Sequence, residues 1–303
     1  MIREITSREN EKLKFARSLL KSKTRAKESK FIAEGYRILT LALDSNSKID
    51  YIIINEDFEK KMLEGKEEYK NLLSDFASEN IQIFKTSDKN FAEISDTENT
   101  QGILGICSFK KEKFSNINRE VSKAKEKFLN INREVSKAKE KFSNINKEVS
   151  KIKENNFLIV LDRVQDPGNM GTIIRTADAA GADGIVVLKG SVDVYNPKTI
   201  RSTMGSIFSI DIFYEDEESA IEKLQSNGFK IVSSYLDTDN FYDKVDYGEK
   251  VALVIGNEAN GISENIISKS DLLVKIPMYG KAESLNAAIS SAILMYEIKK
   301  SII

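Results

Sequence analysis

At 303 residues the chain has room for about two ordinary domains, and 41% apolar with 31% charged residues is the balance of a globular protein. A formal net charge of −1 gives no overall pull toward a polyanion. The absence of histidine excludes Ser-His-Asp triads, Cys-His pairs and His-ligated zinc, and a single cysteine, Cys107, excludes an intrachain disulfide.

The first thirty residues carry ten bases (Arg3, Arg8, Lys12, Lys14, Arg17, Lys21, Lys23, Arg25, Lys27 and Lys30) against four acids (Glu4, Glu9, Glu11 and Glu28). Such a stripe is either a solvated helix face or a surface for RNA or DNA. A helix is expected from about Glu9 to Lys21, with Leu13, Ala16, Leu19 and Leu20 on one face. Short β-type runs follow at 31–33, 51–55, 81–85 and 102–109, with a helical stretch at 36–43. Their alternation predicts a small layered α/β domain over 1–109. Cys107 sits beside Ile103, Leu104 and Ile106, which points to a buried structural thiol. No secretory signal, lipidation motif or long uncharged apolar run occurs, so a reducing cytoplasm is the expected compartment.

Residues 110–155 are different. "FSNINREVSKAKEK" (114–127) recurs as "FLNINREVSKAKEK" (128–141) and, diverged, as "FSNINKEVSKIKE" (142–154). The period of 14 residues equals two heptads, and Phe114, Ile117, Val121, Ala124 and their copies fall on a and d positions. The segment reads as a helical linker, either a coiled-coil seam or a duplicated spacer.

Residues 156–303 predict a second α/β domain with a mostly parallel sheet. Strands are expected at 157–162, 184–189, 206–213, 229–235, 251–256 and 272–277, and a final helix from about Ser284 to Lys300. Three of these strands run into loops with chemistry. "DPGNMGTIIRTADAAG" (166–181) is a glycine turn opening a helix near Asn169, with Arg175 inside it. Its spacing fits neither a dinucleotide-binding turn nor a P-loop. Asn169 could cap the helix and Arg175 could pair with Asp178, while Gly171 would let backbone approach a ligand. "LVIGNEANGIS" (253–263) ends a strand at Gly256, Asn257 and Glu258. "IPMYGKAESLNAAIS" (276–290) ends one at Pro277 and leads past Ser284 and Asn286 into a helix of small residues. Three such loops in one domain point to one assembled site at the carboxyl ends of the strands.

In order and spacing the three stretches resemble the motifs of the SpoU (TrmH-type) RNA 2′-O-ribose methyltransferases of the SPOUT superfamily, over residues 157–302. "SRENEKLKFARSLL", "FIAEGYRIL" and "TQGILGI" are similar to that family's amino-terminal substrate-binding domain. The resemblance implies a carboxy-terminal SPOUT α/β domain with a trefoil knot, a smaller amino-terminal α/β domain and a homodimer formed through the carboxy-terminal domain. It implies S-adenosylmethionine as cofactor, held by Gly256, Ile276 and Leu285, no metal, and a catalytic set of Asn169, Arg175, Glu258, Ser284 and Asn286. The implied reaction is methyl transfer to a ribose 2′-hydroxyl of RNA, ribosomal RNA first, with transfer RNA or a non-catalytic RNA-binding role as alternatives. A guanidinium with a pKa above about 12 is a poor base, so Arg175 is expected to grip phosphate and a developing alkoxide.

Overall fold

The computed structural model describes residues 2–65, 67–109, 112–114 and 156–302. The expected helical repeat lies outside these residues, except for its first position, Phe114.

The amino-terminal part is a five-stranded mixed sheet in the order β1-β4-β3-β5-β2. Its strands are β1 (Ile2–Ile5), β2 (Lys30–Glu34), β3 (Ile49–Ile54), β4 (Gln82–Thr86) and β5 (Ile103–Ser108). β5 runs antiparallel between β2 and β3, and the other pairs are parallel. Helices α1 (Glu11–Ser18), α2 (Ser22–Glu28), α3 (Tyr36–Asp44), α4 (Glu56–Leu63), α5 (Glu67–Ser78) and α6 (Asp88–Ala92) cover it. Leu13, Ala16 and Leu19 pack on one face with Phe91, while Leu39, Phe58 and Phe76 pack on the other. The helix expected over 9–21 is α1, capped by Asn10 and ending at Ser18, and a second helix, α2, follows from the extended backbone at Lys21. Cys107 is fully buried, and burial pushes its thiol pKa up, as fits an inert core position.

The carboxy-terminal part is a seven-stranded sheet, parallel throughout, in the order β12-β10-β11-β7-β8-β9-β6. β7 (Phe157–Leu161), β8 (Gly184–Leu188) and β11 (Val251–Ile255) lie at its centre and are buried at every position. That is why they read as unbroken apolar runs. Phe157, Ile159 and Leu161 meet α7 (Pro167–Ala179) and α11 (Ala287–Ile302) on one face. Leu158 and Val160 meet α9 (Glu217–Ser226) and α10 (Glu264–Lys269) on the other. β10 (Lys230–Ser234) and β12 (Leu272–Val274) form one edge.

The other edge is less expected. The run 206–213 splits: Gly205 takes φ 99°, Ser206–Phe208 is a single 3₁₀ turn, and only Ile212–Glu215 is strand, β9. Beyond it, Glu112–Lys113 adds β6, and the Phe114 ring packs edge-on to Phe213 at 5.9 Å. The first repeat residue therefore belongs to the core of the second sheet.

One apolar core runs through both parts. It joins Phe31, Ile38 and Leu39 to Tyr195, Ile207 and Ile210. The Phe31 ring lies 4.9 Å from Tyr195 and 5.9 Å from Phe208. Gly205 cannot carry a side chain here, because its Cβ would fall 2.3 Å from Leu41 Cδ1. The short helix α8 (Pro197–Thr203) is the platform for this joint, and Arg201 in it donates to Asp96 at 3.0 Å.

Candidate active site

The three glycine- and asparagine-bearing loops converge at the carboxyl ends of β7, β11 and β12. The first follows β7. Asp166, not Asn169, caps α7: its Oδ1 accepts from Asn169 N at 2.8 Å, and Pro167 starts the helix with its φ already set. The Asn169 amide, helped by Lys198 at 3.6 Å, holds the Asp166 carboxyl below its usual range against the opposing effect of burial. The third residue of α7 is thus Asn169, and its side chain is free for another partner.

That partner is Glu258, which follows β11. Its Oε1 accepts from Asn169 Nδ2 at 3.0 Å and from Asp166 N at 3.1 Å, and its Oε2 from Gln165 N at 3.0 Å. Burial favours the protonated form, but these donors outweigh it and the pKa lies below the ordinary carboxylate value. The third loop closes the set. Asn286 Nδ2 donates to Asn169 Oδ1 at 3.0 Å, while Asn286 Oδ1 accepts from Ala288 N at 2.9 Å and so caps α11. One line of hydrogen bonds, Asn286 to Asn169 to Glu258, ties the loops together.

Beside that line is a cleft of about 260 Å³, lined by Gly256, Glu258, Ile276, Ser284 and Leu285 with Met278. Ligand pockets commonly start near 300 Å³, so this is a small one. Its walls mix apolar side chains, among them Leu236, Ile276, Met278 and Leu285, with the hydroxyls of Ser234, Ser284 and Ser290, the amide of Asn257 and the carboxylate of Glu258.

Arg175 stands apart. It is exposed, and among the described residues it makes no hydrogen bond or ion pair, not even with Asp178. Six residues past Asn169, it sits about 9 Å further along α7 and on another face. The structure thus gathers Asn169, Glu258 and Asn286, sets Ser284, Gly256, Ile276 and Leu285 along the adjoining cleft, and leaves Arg175 bare.

The two glycines play other parts than ligand approach. A Cβ on Gly171 would lie 2.5 Å from Thr199 O, so this glycine lets α7 and α8 touch. One on Gly256 would lie 2.4 Å from Gly261 C and 2.5 Å from Ile262 N, where the chain doubles back on itself. Three further residues support the site: Asn257, inside the second motif, and Asp162 and Gln165, which lie outside the motifs. Asp162, 1% exposed, takes Arg163 in a fork at 2.8 and 2.9 Å and Ser263 N at 2.8 Å. Asn257 Nδ2 donates to Arg163 O at 2.8 Å, and Gln165 presents its amide to Glu258. An acid directly after a buried strand was the available signal for Asp162. Among the described residues no group of three His, Cys, Asp or Glu could hold a metal, and no helix is long and apolar enough to cross a membrane.

Residues 156–296 match the SpoU rRNA Methylase family, and residues 10–105 match the MRM3-like substrate binding domain. Over 98% of its length the chain is 30% identical to the whole of a Bacillus subtilis protein, the 23S rRNA (guanosine(2553)-2′-O)-methyltransferase RlmP. Two crystal structures of an rRNA methyltransferase from Sinorhizobium meliloti superpose on it with TM-scores of 0.76 and 0.77, at 27% and 28% identity. Each covers 100% of this chain and 99% of its own, and the second is AdoMet-bound.

Proposed function

The chain belongs to the SpoU rRNA methylase family, and from that premise we infer that it is an AdoMet-dependent 2′-O-methyltransferase acting on a ribose of ribosomal RNA. The observation that carries this reading is the meeting of three distant loops, through Asn286, Asn169 and Glu258, beside a cleft of mixed polar and apolar lining at strand carboxyl ends.

When bound, S-adenosylmethionine supplies a methyl group on a sulfonium, ready for in-line displacement. The cleft suits such a molecule: apolar walls for a nucleoside ring, hydroxyls for its polar tail, and the Glu258 carboxylate for a cation. Gly256, Ile276 and Leu285 are the residues assigned to hold it. Because Gly256 is already pressed against Gly261, its contribution is the shape of the strand end.

The chain's own task is alignment and the removal of a hydroxyl proton. In this reading Glu258 stays ionised and acts as a clamp, because its three partners, Gln165 N, Asp166 N and Asn169 Nδ2, are all donors on the first loop. Asn169 and Asn286 then have fixed orientations, and with Ser284 they line the approach of the ribose. Arg175 grips the target phosphate and the developing alkoxide with its planar fork.

The distance of Arg175 from the cleft on its own chain supports a homodimer in which one protomer's arginine serves its partner's cleft. The face that would pair is on α11, where Ile289 and Tyr296 are 55% and 56% exposed. Such a pair of exposed apolar residues marks an interaction site. The trefoil knot belongs to the same reading. After β12, at the sheet edge, the chain returns over the ends of β10 and β11 before Asn286 reaches Asn169. A cytoplasmic location follows from the substrate.

The test is methyl transfer from labelled S-adenosylmethionine to ribosomal RNA, with the product digested to nucleosides. Label in a 2′-O-methyl nucleoside is expected. Label on a base, or none, would defeat the reading.

A further inference from the structure

Arg25, in α2, is only 2% exposed and crosses from the first sheet's unit to the second. Its Nε and Nη2 donate to Asp193 Oδ2 at 2.9 and 2.7 Å, and its Nη1 donates to the carbonyls of Leu19 and Leu20 at 2.7 and 2.8 Å. Ser22 Oγ donates to the same Asp193 oxygen at 3.0 Å, and Asp193 Oδ1 accepts from Tyr195 N at 3.0 Å. Both carboxylate oxygens and all three guanidinium nitrogens are used.

Asp193 lies in the loop that follows β8, and this loop is sewn to the one that follows β7. Val192 N donates to Val164 O at 2.8 Å, Ser191 Oγ to Leu161 O at 3.2 Å, and Gln165 Nε2 to Gly190 O. Gln165 in turn gives its amide to Glu258. Two tied loops are all that separate Arg25 from the clamp of the site.

The joint does not need Arg25 for adhesion. Phe31, Tyr195, Phe208 and their neighbours already bury a shared apolar core, and apolar contact is non-directional. A guanidinium with two nitrogens on one carboxylate oxygen and the third on two carbonyls adds direction instead. A buried ion pair is weak evidence for stability and better evidence for register. The second pair across the joint, Arg201 with Asp96, is 30% and 49% exposed and contributes little of either.

We propose that Arg25 is a positioning residue for methyl transfer. Through Asp193 it holds the amino-terminal unit in fixed register with the Gln165 loop, so that RNA seated on that unit presents its target ribose squarely to the site. This rests on the functional reading above. A displacement of about 1 Å at a reacting centre can cost on the order of 10²-fold in rate.

The experiment compares Arg25→Lys, Asp193→Asn and the double variant with the parent on ribosomal RNA. It is run well below each unfolding midpoint, with rates expressed per S-adenosylmethionine site titrated by calorimetry. Each single variant is expected to lower kcat on RNA by about 10- to 100-fold with the S-adenosylmethionine Kd unchanged. The double variant should be no worse than the worse single, because the pair acts as one unit. Parental kcat in folded variants, or losses that multiply, would overturn the proposal. So would variants that fail to fold at all, since the pair would then be a stability element. A parent that binds S-adenosylmethionine but methylates no RNA strikes the functional reading itself, which separates the two failures.

Discussion

The joint between the sheets and the helix α7, which leads away from the carboxyl edge of the second sheet, each hold an arginine, and the two are opposites. Arg25 is buried with every nitrogen matched by a protein acceptor. Arg175 is exposed with, among the described residues, no partner. A guanidinium with every nitrogen engaged is part of the fold. A bare one is available to something that arrives. The same distinction reorders the basic amino terminus. Arg8 and Arg17 are matched by Glu93, Lys30 by Asp50 and Arg25 by Asp193, so three acids from outside the segment fold in and halve its excess charge. Lys12 lies over the Tyr51 ring at 4.5 Å, half-buried. The stripe is largely structural, and Arg3, Lys21 and Lys23 are what remains of it for an RNA backbone.

The largest effect is expected at the bare arginine. Arg175→Ala should lower methyl transfer by at least about 10²-fold, the loss typical of a single transition-state donor. The S-adenosylmethionine Kd should stay within twofold of the parent, because no cofactor residue touches Arg175. Arg175→Lys should recover little, lacking the fork. If the alanine variant turns over normally, bareness is not a sign of function here.

The next effect sharpens the comparison from within the site. Glu258 accepts three hydrogen bonds, and glutamine would replace one of its oxygens by an amide donor, facing either Gln165 N or the pair Asp166 N and Asn169 Nδ2. One buried-side partner left unmatched costs about 1–3 kcal/mol. Glu258→Gln should therefore lose roughly 10-fold or more in rate, with loop 165–169 less protected in hydrogen exchange. The pH dependence has a definite sign. The folded pKa is lowered, so the stabilisation is complete above the unfolded carboxylate value, near about 4.3, and is lost as pH falls through the folded value. Between pH 7 and 5 this group should contribute no change in stability. Below that range the parent should lose stability relative to Glu258→Gln.

Much of this was legible in the sequence, for identifiable reasons. A parallel sheet covered on both sides demands unbroken apolar strands, so β7, β8 and β11 announce themselves. Loops at strand ends carry glycine and asparagine because the backbone must turn sharply, and that marked Asn169, Gly256, Glu258 and Asn286. What stayed hidden depends on distant partners. β1 has only one buried residue, Ile5, and exists because β4 accepts it. The run 206–213 reads as a strand by composition, but Gly205 and the joint turn its first half into a 3₁₀ turn. Asp193 is 168 residues from Arg25 in sequence, so nothing local distinguishes Arg25 from its basic neighbours. Gly171 looked like a ligand turn, and only the neighbouring helix shows otherwise.

That glycine gives a smaller, purely structural effect on the packed side of the helix that bears Arg175. Gly171→Ala would press a methyl group 2.4 Å from Ser202 Cβ and 2.5 Å from Thr199 O. Because one contact is backbone, relief requires α7 and α8 to separate. Overpacking of this kind costs about 1–3 kcal/mol. A fall in the urea midpoint with unchanged slope is the expected readout, and an unchanged midpoint would mean that the helices slide freely. A modest rate loss should accompany it, since α7 carries Asn169.

The smallest effect is expected where neither arginine reaches. The repeat joins β6, on one edge, to β7, three strands away across β9 and β8 and running in the same direction. Three strand spacings are about 14 Å, and the return along a strand adds about 17 Å. Deleting 115–142 removes two of the 14-residue copies and joins Phe114 to Ser143, regenerating the third copy's own sequence. The connection left over 143–156 can span up to about 46 Å, enough for that crossover. Starting the deletion after Phe114 matters, because that ring is part of the second sheet's core. The variant should match the parent in unfolding midpoint, S-adenosylmethionine affinity and methylation within about twofold, since length beyond the crossover adds only a slowly growing loop entropy. Deleting 115–154 leaves two residues for the same crossing and should unseat β6. If the shorter deletion already abolishes activity while the protein stays folded, the repeat contributes a contact of its own, and function is not confined to the carboxyl edge and the joint.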